Sequence, residues 1–414
     1  MLKPQRLWGI AAGCLLAWGQ QGGAADVQLN RSVDGVFAPR EASWLQLADA
    51  SAESGMQPKI QQVSCFGGDS ELGDPWTVSS LMGDDPCINL GGWLAVGYHN
   101  RPDGTFLDYP HHAQLDQGWL YAEKAVDGAD GWDFGGRVDM MYGTDGANTQ
   151  AFGNTPGVFD FSDTFNHGEY GWAIPQLYVE AAYHDWKLKA GHFFTLLGWE
   201  VVPATGNFFY SHAFTMNYSE AFTHTGALAT YTGIENVELY GGYTLGWDTG
   251  FDQLDGGSNF LGGFKVTPRE DIALIYITTI GNLGWLGKGY THSLCADFTL
   301  TDKLHYIAQS DYVDVSESDF TGKDYYTIGY NNYLIYWATD RVGFGGRGEW
   351  WKAQGVSYYE ATIGVNFKPI PNFIIRPELR YQWSPAAEGA PANNQMAIPS
   401  LGDGIFGVDG ILTF

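Results

Sequence analysis

Residues 356–383 read VSYYEATIGVNFKPIPNFIIRPELRYQW, and the alternation within them decides the fold. In the first half, Tyr359, Ala361, Ile363, Val365 and Phe367 fall on one side of an extended chain, against Glu360, Thr362 and Asn366 on the other. In the second half, Phe373, Ile375, Leu379, Tyr381 and Trp383 oppose Arg376, Glu378, Arg380 and Gln382. Successive side chains of a strand point to opposite faces, so this period of two predicts strands at 356–368 and 371–383 joined by a short link. Residues 131–143 repeat the pattern, with Trp132, Phe134, Val138, Met140 and Tyr142 against Asp133, Arg137 and Asp139. Each segment pairs an apolar, aromatic face with a charged one.

Working outward, sixteen such segments run from 91–99 to 404–414. Short links, near 184–186, 232–236, 300–303 and 337–340, alternate with long ones, near 100–114, 144–173, 195–225 and 384–403. The link 352–355 is the one weak long member. Lipid offers no partners to backbone polar groups, so strands span it only by closing into a barrel, with short periplasmic turns and longer external loops. The expected fold is all-β: a transmembrane up-and-down antiparallel barrel of about 16 strands over 91–414, with both ends periplasmic. An aromatic content of 15% with 56 glycines favours many short strands over helices. Strand 270–280 is apolar on both faces, and its pattern sets no orientation. In the last strand Phe406, Val408, Gly410, Leu412 and the terminal Phe414 share a face, and Phe414 is taken as the signal read by the barrel assembly machinery.

The chain before the barrel divides in two. Lys3 and Arg6 precede an apolar run from Leu7 to Trp18 and then Gly22-Gly23-Ala24-Ala25, which describes a cleavable secretory signal over 1–25. Residues 26–90 form a short N-terminal periplasmic extension with a short helix expected near 41–50. Cys65 and Cys87 are a candidate disulfide once exported into an oxidising compartment. A formal net charge of −26 argues against nucleic acid and anionic membrane surfaces as partners.

Catalytic constellations are missing from the pattern. No HExxH, GxSxG or GxxxxGK[ST] occurs. A GxGxxG at Gly343, Gly345 and Gly348 runs into the strand residues Glu349-Trp350-Trp351 where dinucleotide binding needs a helix, so glycines facing a crowded barrel wall explain it better. No pair among the plentiful carboxylates stands out as an acid/base couple, and His111-His112 lacks a third ligand at metal spacing. No catalytic residue, metal or cofactor is expected.

The one irregular stretch is 196–225, LLGWEVVPATGNFFYSHAFTMNYSEAFTHT. About thirty residues without strand or helix periodicity are usually functional, and this segment is expected to fold into the lumen and narrow it. Its carboxylates Glu200 and Glu220 would then face bases on the polar strand faces: Arg347, Arg376 and Arg380 (with Arg341) on the late wall, and Arg137, Lys187 and Lys189 on the early one. Opposed charges across a narrow passage create a transverse field that sorts polar solutes. The competing expectation is that these arginines pair locally, with Glu349 and Glu378, and only satisfy the interior.

Residues Gly191 to Gly226, GHFFTLLGWEVVPATGNFFYSHAFTMNYSEAFTHTG, strongly resemble the OmpL-like family of β-barrel outer-membrane porins. Asp133-Phe134-Gly135-Gly136-Arg137-Val138-Asp139 and Ile174-Pro175-Gln176-Leu177-Tyr178-Val179 are similar to that family's third and fourth segments, and the likeness runs from about Gly91 to Phe414. The resemblance implies a passive or weakly selective outer-membrane pore and carries over no substrate and no catalytic residue. The expected function is a porin forming a water-filled channel for small polar solutes or ions, embedded in outer-membrane lipid, with a homotrimer as a candidate assembly. The alternatives are a non-conducting barrel acting as an adhesin or structural anchor, and an exported β-rich carbohydrate-active protein.

Overall fold

The computed structural model describes residues 72–79, 87–162, 166–318, 321–387 and 395–414. The signal at 1–25, Cys65 and the helix expected near 41–50 lie outside these residues; Cys87 is exposed. Sixteen strands follow one another. The first quarter is β1 (Asn89–His99), β2 (Gln114–Lys124), β3 (Trp132–Gly143) and β4 (Gly171–Tyr183). Next come β5 (Trp186–Phe194), β6 (Thr223–Ile234), β7 (Val237–Thr244) and β8 (Ser258–Arg269). The third quarter is β9 (Ile272–Asn282), β10 (Lys288–Thr301), β11 (Leu304–Ser318) and β12 (Lys323–Thr339). The chain ends with β13 (Val342–Ala353), β14 (Val356–Ile370), β15 (Phe373–Trp383) and β16 (Gly404–Thr413). Two short helices, α1 (Gly146–Thr149) and α2 (Phe214–Ser219), lie in the long connections after β3 and β5.

Every strand pairs antiparallel with its sequence neighbours, and β1 pairs with β16 to close the barrel. At the seam Trp93 lies opposite Thr413, and Gly92 and Phe414 exchange backbone hydrogen bonds of 3.0 Å in both directions. The terminal residue is therefore the last rung of the closure. One rim carries two-residue links apart from 125–131, and the other carries the long connections, although its link between β13 and β14, expected as the weak long member at 352–355, is only 354–355. The external links before β10 and before β12 are shorter than expected, 283–287 and 319–322, because β10 through β12 extend beyond the lipid-spanning pattern. β6 begins three residues early, at Thr223, because Thr223–Thr225 pair with Phe194–His192 at the foot of the connection between them.

The faces fall as the alternation requires. Trp132, Phe134, Met140 and Tyr142 are exposed on β3, as are Ile363, Leu379 and Tyr381 on β14 and β15, whereas Arg376, Glu378, Arg380 and Gln382 are buried inside. β9, which its sequence leaves ambiguous, turns Ala273, Ile275 and Ile277 inward and exposes Ile280. Its inner face is apolar because an apolar stretch of chain packs against it from within the lumen. On the short-link rim, the backbone of Trp76 exchanges hydrogen bonds with the Asn372 side chain, N–H to Oδ1 at 3.0 Å and Nδ2 to the carbonyl at 2.7 Å. That latch sets residues 72–79 against the β14–β15 turn.

Candidate functional site

The connection 195–222 enters the barrel. Leu196, Leu197 and Val201 join a buried cluster with Ile275 and Ile277 of β9, Cys295 of β10 and Val313 of β11. The segment then touches walls half the ring apart. Gly198 N–H donates to Ser293 Oγ on β10 (3.1 Å) and Trp199 N–H to Gln309 Oε1 on β11 (3.0 Å). A few residues later Gln117 on β2 accepts from Ala204 N–H (3.0 Å) and donates to the Val202 carbonyl (2.8 Å). The chain has crossed the lumen. It returns along β15, β13 and β12 to Glu220, which accepts from Gln309 Nε2 at 2.5 Å.

Charged side chains hold the return. Glu378 on β15 accepts the N–H groups of Tyr210 (2.8 Å) and Ser211 (3.1 Å), and Glu349 on β13 accepts those of Phe214 and Thr215 (both 2.6 Å). Arg380 donates to the His212 carbonyl and lies over the Phe214 ring. Arg376 donates to the carbonyls of Ala204 (2.7 Å) and Asn207 (2.6 Å) while forking onto Asp409 of β16 (2.9 and 2.5 Å). Arg347 binds Glu200 (2.6 Å) and Glu360 (2.8 Å) with all three side chains buried. Burial alone pushes the Glu200 carboxyl up, but Arg347, then His212 at 3.6 Å and the Ala213 N–H, outweigh it and hold the group down at about 2.

The structure thus brings Glu200 into direct contact with Arg347 and places Arg376 and Arg380 under the segment as its anchors. Glu220 meets Gln309. The local pairs expected with Glu349 and Glu378 are replaced by pairs with Glu360 and Asp409, because Glu349 and Glu378 spend their oxygens on backbone N–H groups of the segment. Arg137, Lys187 and Lys189 lie apart from these, on β3 and β5 toward the short-link rim. Arg137 bonds Asp139 (2.7 Å) and Glu123 (3.2 Å) and Lys189 bonds Glu180 (3.3 Å), with Lys265 and Glu238 continuing the alternation at 2.6 Å. This ladder is partly exposed, as are Trp199 and 204–208, whereas the rest of the segment is buried.

Sequence reasoning missed how the wall is hollowed to seat the segment. Gly345, Gly364 and Gly407, on β13, β14 and β16, stand opposite Phe208, Phe209 and Tyr210; a side chain at Gly345 would collide with the Phe208 ring, and one at Gly407 would lie 2.9 Å from Tyr210. The run Phe208-Phe209-Tyr210 against glycines on late strands was the available signal. On the long-link side, Phe106, Phe152, Met216 and Phe222 form one packed cluster, and Phe214, Tyr218, Trp351 and Tyr358 another. Where the segment meets β2 and β16, Asp116, Asp145 and Asp409 line a small cavity. Burial, then the neighbouring Asp116 charge, pushes Asp145 well above the usual carboxylate range. Among the described residues no group of three or more His, Cys, Asp or Glu side chains is arranged to hold a metal ion, and His112 pairs with Glu169 at 3.2 Å.

A closed sixteen-stranded barrel with an apolar, aromatic exterior, a charged interior and one connection folded inward is an outer-membrane barrel of the porin class. The chain belongs to the family described as "Putative beta-barrel porin-2, OmpL-like", whose model matches residues 87–414. No curated protein matches it in sequence. Among solved structures it is similar to an anion-selective porin from Comamonas acidovorans (12% identity, TM-score 0.55, covering 79% of this chain and 99% of that one). It is also similar to the outer-membrane channel DcaP of Acinetobacter baumannii (11% identity, TM-score 0.52, 82% of this chain and 100% of that one). A third is the outer-membrane protein OmpT of Vibrio cholerae (11% identity, TM-score 0.52, 80% and 99%). At these identities the likeness carries the fold alone.

Proposed function

We propose that the protein is a non-enzymatic porin of the outer membrane that passes small polar solutes or ions through a barrel narrowed by 195–222. The observation that carries this reading is the segment itself: it crosses the lumen, bonded to Gln117 on β2 at one wall and to the charged side chains of Arg347 and Arg376 on β13 and β15 at the other. The remaining aqueous route runs past 204–208 and the ladder Arg137, Lys187, Lys189, Glu180 and Glu123, where paired opposite charges favour small polar solutes over apolar ones. In this reading 1–25 is the signal, 26–90 a periplasmic extension tethered at Trp76, and Phe414 the residue recognised by the assembly machinery. Three barrels associate in outer-membrane lipid.

A second reading, a non-conducting barrel serving as an anchor or adhesin, is favoured by the dry clusters that fill the long-link half of the lumen. Planar-bilayer recording separates the two. The porin reading expects discrete conductance steps that grow when 204–207 are deleted. A protein that runs as a heat-modifiable folded barrel yet never conducts, before or after that deletion, belongs to the second reading.

A further inference from the structure

Most acids of the inner wall meet a base or a donor of the inward segment. Glu180 meets Lys189, Glu238 meets Lys265, Glu360 meets Arg347 and Asp409 meets Arg376, while Glu349 and Glu378 take N–H groups of the segment. Asp297, on β10, has neither. It is only 8% exposed, its Oδ1 is buried with no hydrogen-bond partner, and among the described residues no lysine or arginine stands against it. Register gives its surroundings. Asp297 lies opposite Ala273 of β9 on one side and Ile307 of β11 on the other, with Ile275 and Cys295 one inward position nearer the long-link rim. A second observation is independent of the acid. Trp199 of the inward segment packs on both apolar clusters that flank Asp297, the one holding Ile275 and Cys295 and the one holding Ile307, where Ile335 of β12 joins it. Its N–H is tied to Gln309, the residue opposite Cys295, so Trp199 stands one step along the wall from Asp297. Trp199 and Ile335 are partly exposed, so this corner opens to the short-link half of the lumen.

We propose that this corner binds small organic cations, an ammonium head on a short apolar or aromatic body, with Asp297 taking the head and Trp199, Ile307 and Ile335 the body. The proposal names a class of solute for the porin reading, on which it rests for an aqueous route to the corner. A carboxylate withdrawn from water without a counter-charge or donors is strongly unfavourable. An ammonium brings a positive charge and several N–H donors in one group, and an indole face beside it attracts the same charge. Lys265, two strands away on β8, is taken by Glu238 at 2.6 Å and leaves Asp297 to the solute. The apolar neighbours decide the rest of the ligand. An inorganic cation that keeps its waters gains nothing from isoleucine and tryptophan, an anion is repelled, and a neutral apolar solute leaves the carboxylate without a partner. The rival occupant is a proton on Asp297 itself.

The test is a calorimetric titration of the full chain in detergent with benzylammonium chloride, at mildly alkaline pH and fixed ionic strength, beside benzyl alcohol and sodium benzoate. The expected result is saturable binding of one benzylammonium per barrel, weakened about thirtyfold or more in Asp297→Asn and to a smaller degree in Trp199→Ala. Equal binding of benzyl alcohol means apolar partition alone and overturns the site. So does an Asp297→Asn protein that binds like the unaltered one, and so does the absence of saturable binding, which leaves the carboxyl to its own proton. If Asp297→Asn fails to fold, crystals of the unaltered protein soaked in para-bromobenzylammonium decide, and no bromine anomalous peak beside Asp297 overturns the proposal. None of these readouts uses conduction. A barrel that conducts and binds no ammonium loses this site and keeps the porin reading, whereas one that binds and never conducts does the reverse.

Discussion

Arg347 has the most exacting place among the side chains, with Glu200 from the inward segment and Glu360 from the wall both buried against it. Removing one partner of a buried pair leaves an uncompensated charge. Arg347→Ala is therefore expected to destabilise the barrel by about 3–5 kcal/mol, read from its urea midpoint, whereas Glu200→Gln, which keeps a polar partner, costs less. The same contact sets a pH window. Glu200 is held at about 2 in the folded protein against an ordinary 4.5, so its contribution is complete above about 4.5 and is lost as pH falls toward 2. Hydrogen exchange at Ala213, whose N–H donates to Glu200, should accordingly stay slow from neutrality to pH 5 and speed beyond the intrinsic trend below that. An exchange rate that loosens already between pH 7 and 5 contradicts the assignment. Arg347 and Arg376 were legible in sequence as charges on polar strand faces, and Glu200 as a carboxylate of the irregular segment. The wall partners of the two arginines, Glu360 and Asp409, were not, because they are brought beside them by strand register that only pairing defines.

At the scale of elements, the segment 195–222 and the strands it touches specify each other. β9 carries isoleucines inward because Leu196, Leu197 and Val201 lie against it, and β13, β14 and β16 carry glycines where Phe208, Phe209 and Tyr210 dock. Filling one of those hollows overpacks the contact. Gly407→Val is expected to cost about 1–3 kcal/mol and to loosen the segment, visible as added current noise and larger open steps in bilayers while the heat-modifiable barrel persists. Unchanged traces from a folded Gly407→Val protein mean that the segment does not govern the passage. The alternation of 356–383 announced β14 and β15 directly. β9 did not announce its orientation, since both its faces are apolar and lipid and a packed lumen select for the same side chains.

At the scale of the whole molecule, closure rests on β1 and β16, with Gly92 and Phe414 forming the last rung. Deleting Phe414 removes that pair of hydrogen bonds and the terminal ring, so slower appearance of the heat-modifiable form is expected on refolding into detergent. Refolding at the unaltered rate would confine any effect of the residue to assembly in the cell. The sequence by itself determined the strand number, the alternating faces, the two kinds of rim and the inward departure of the connection after β5. Each is a local property: a period of two, a link length, a break in both periodicities. Tertiary structure alone decided what the inward segment meets. Sheet register and barrel curvature bring Gln117 and Ser293, on walls half the ring apart, to one crossing chain, and place Asp116, Asp145 and Asp409 around one cavity. No spacing along the chain encodes that meeting, because it depends on the closed ring as a whole.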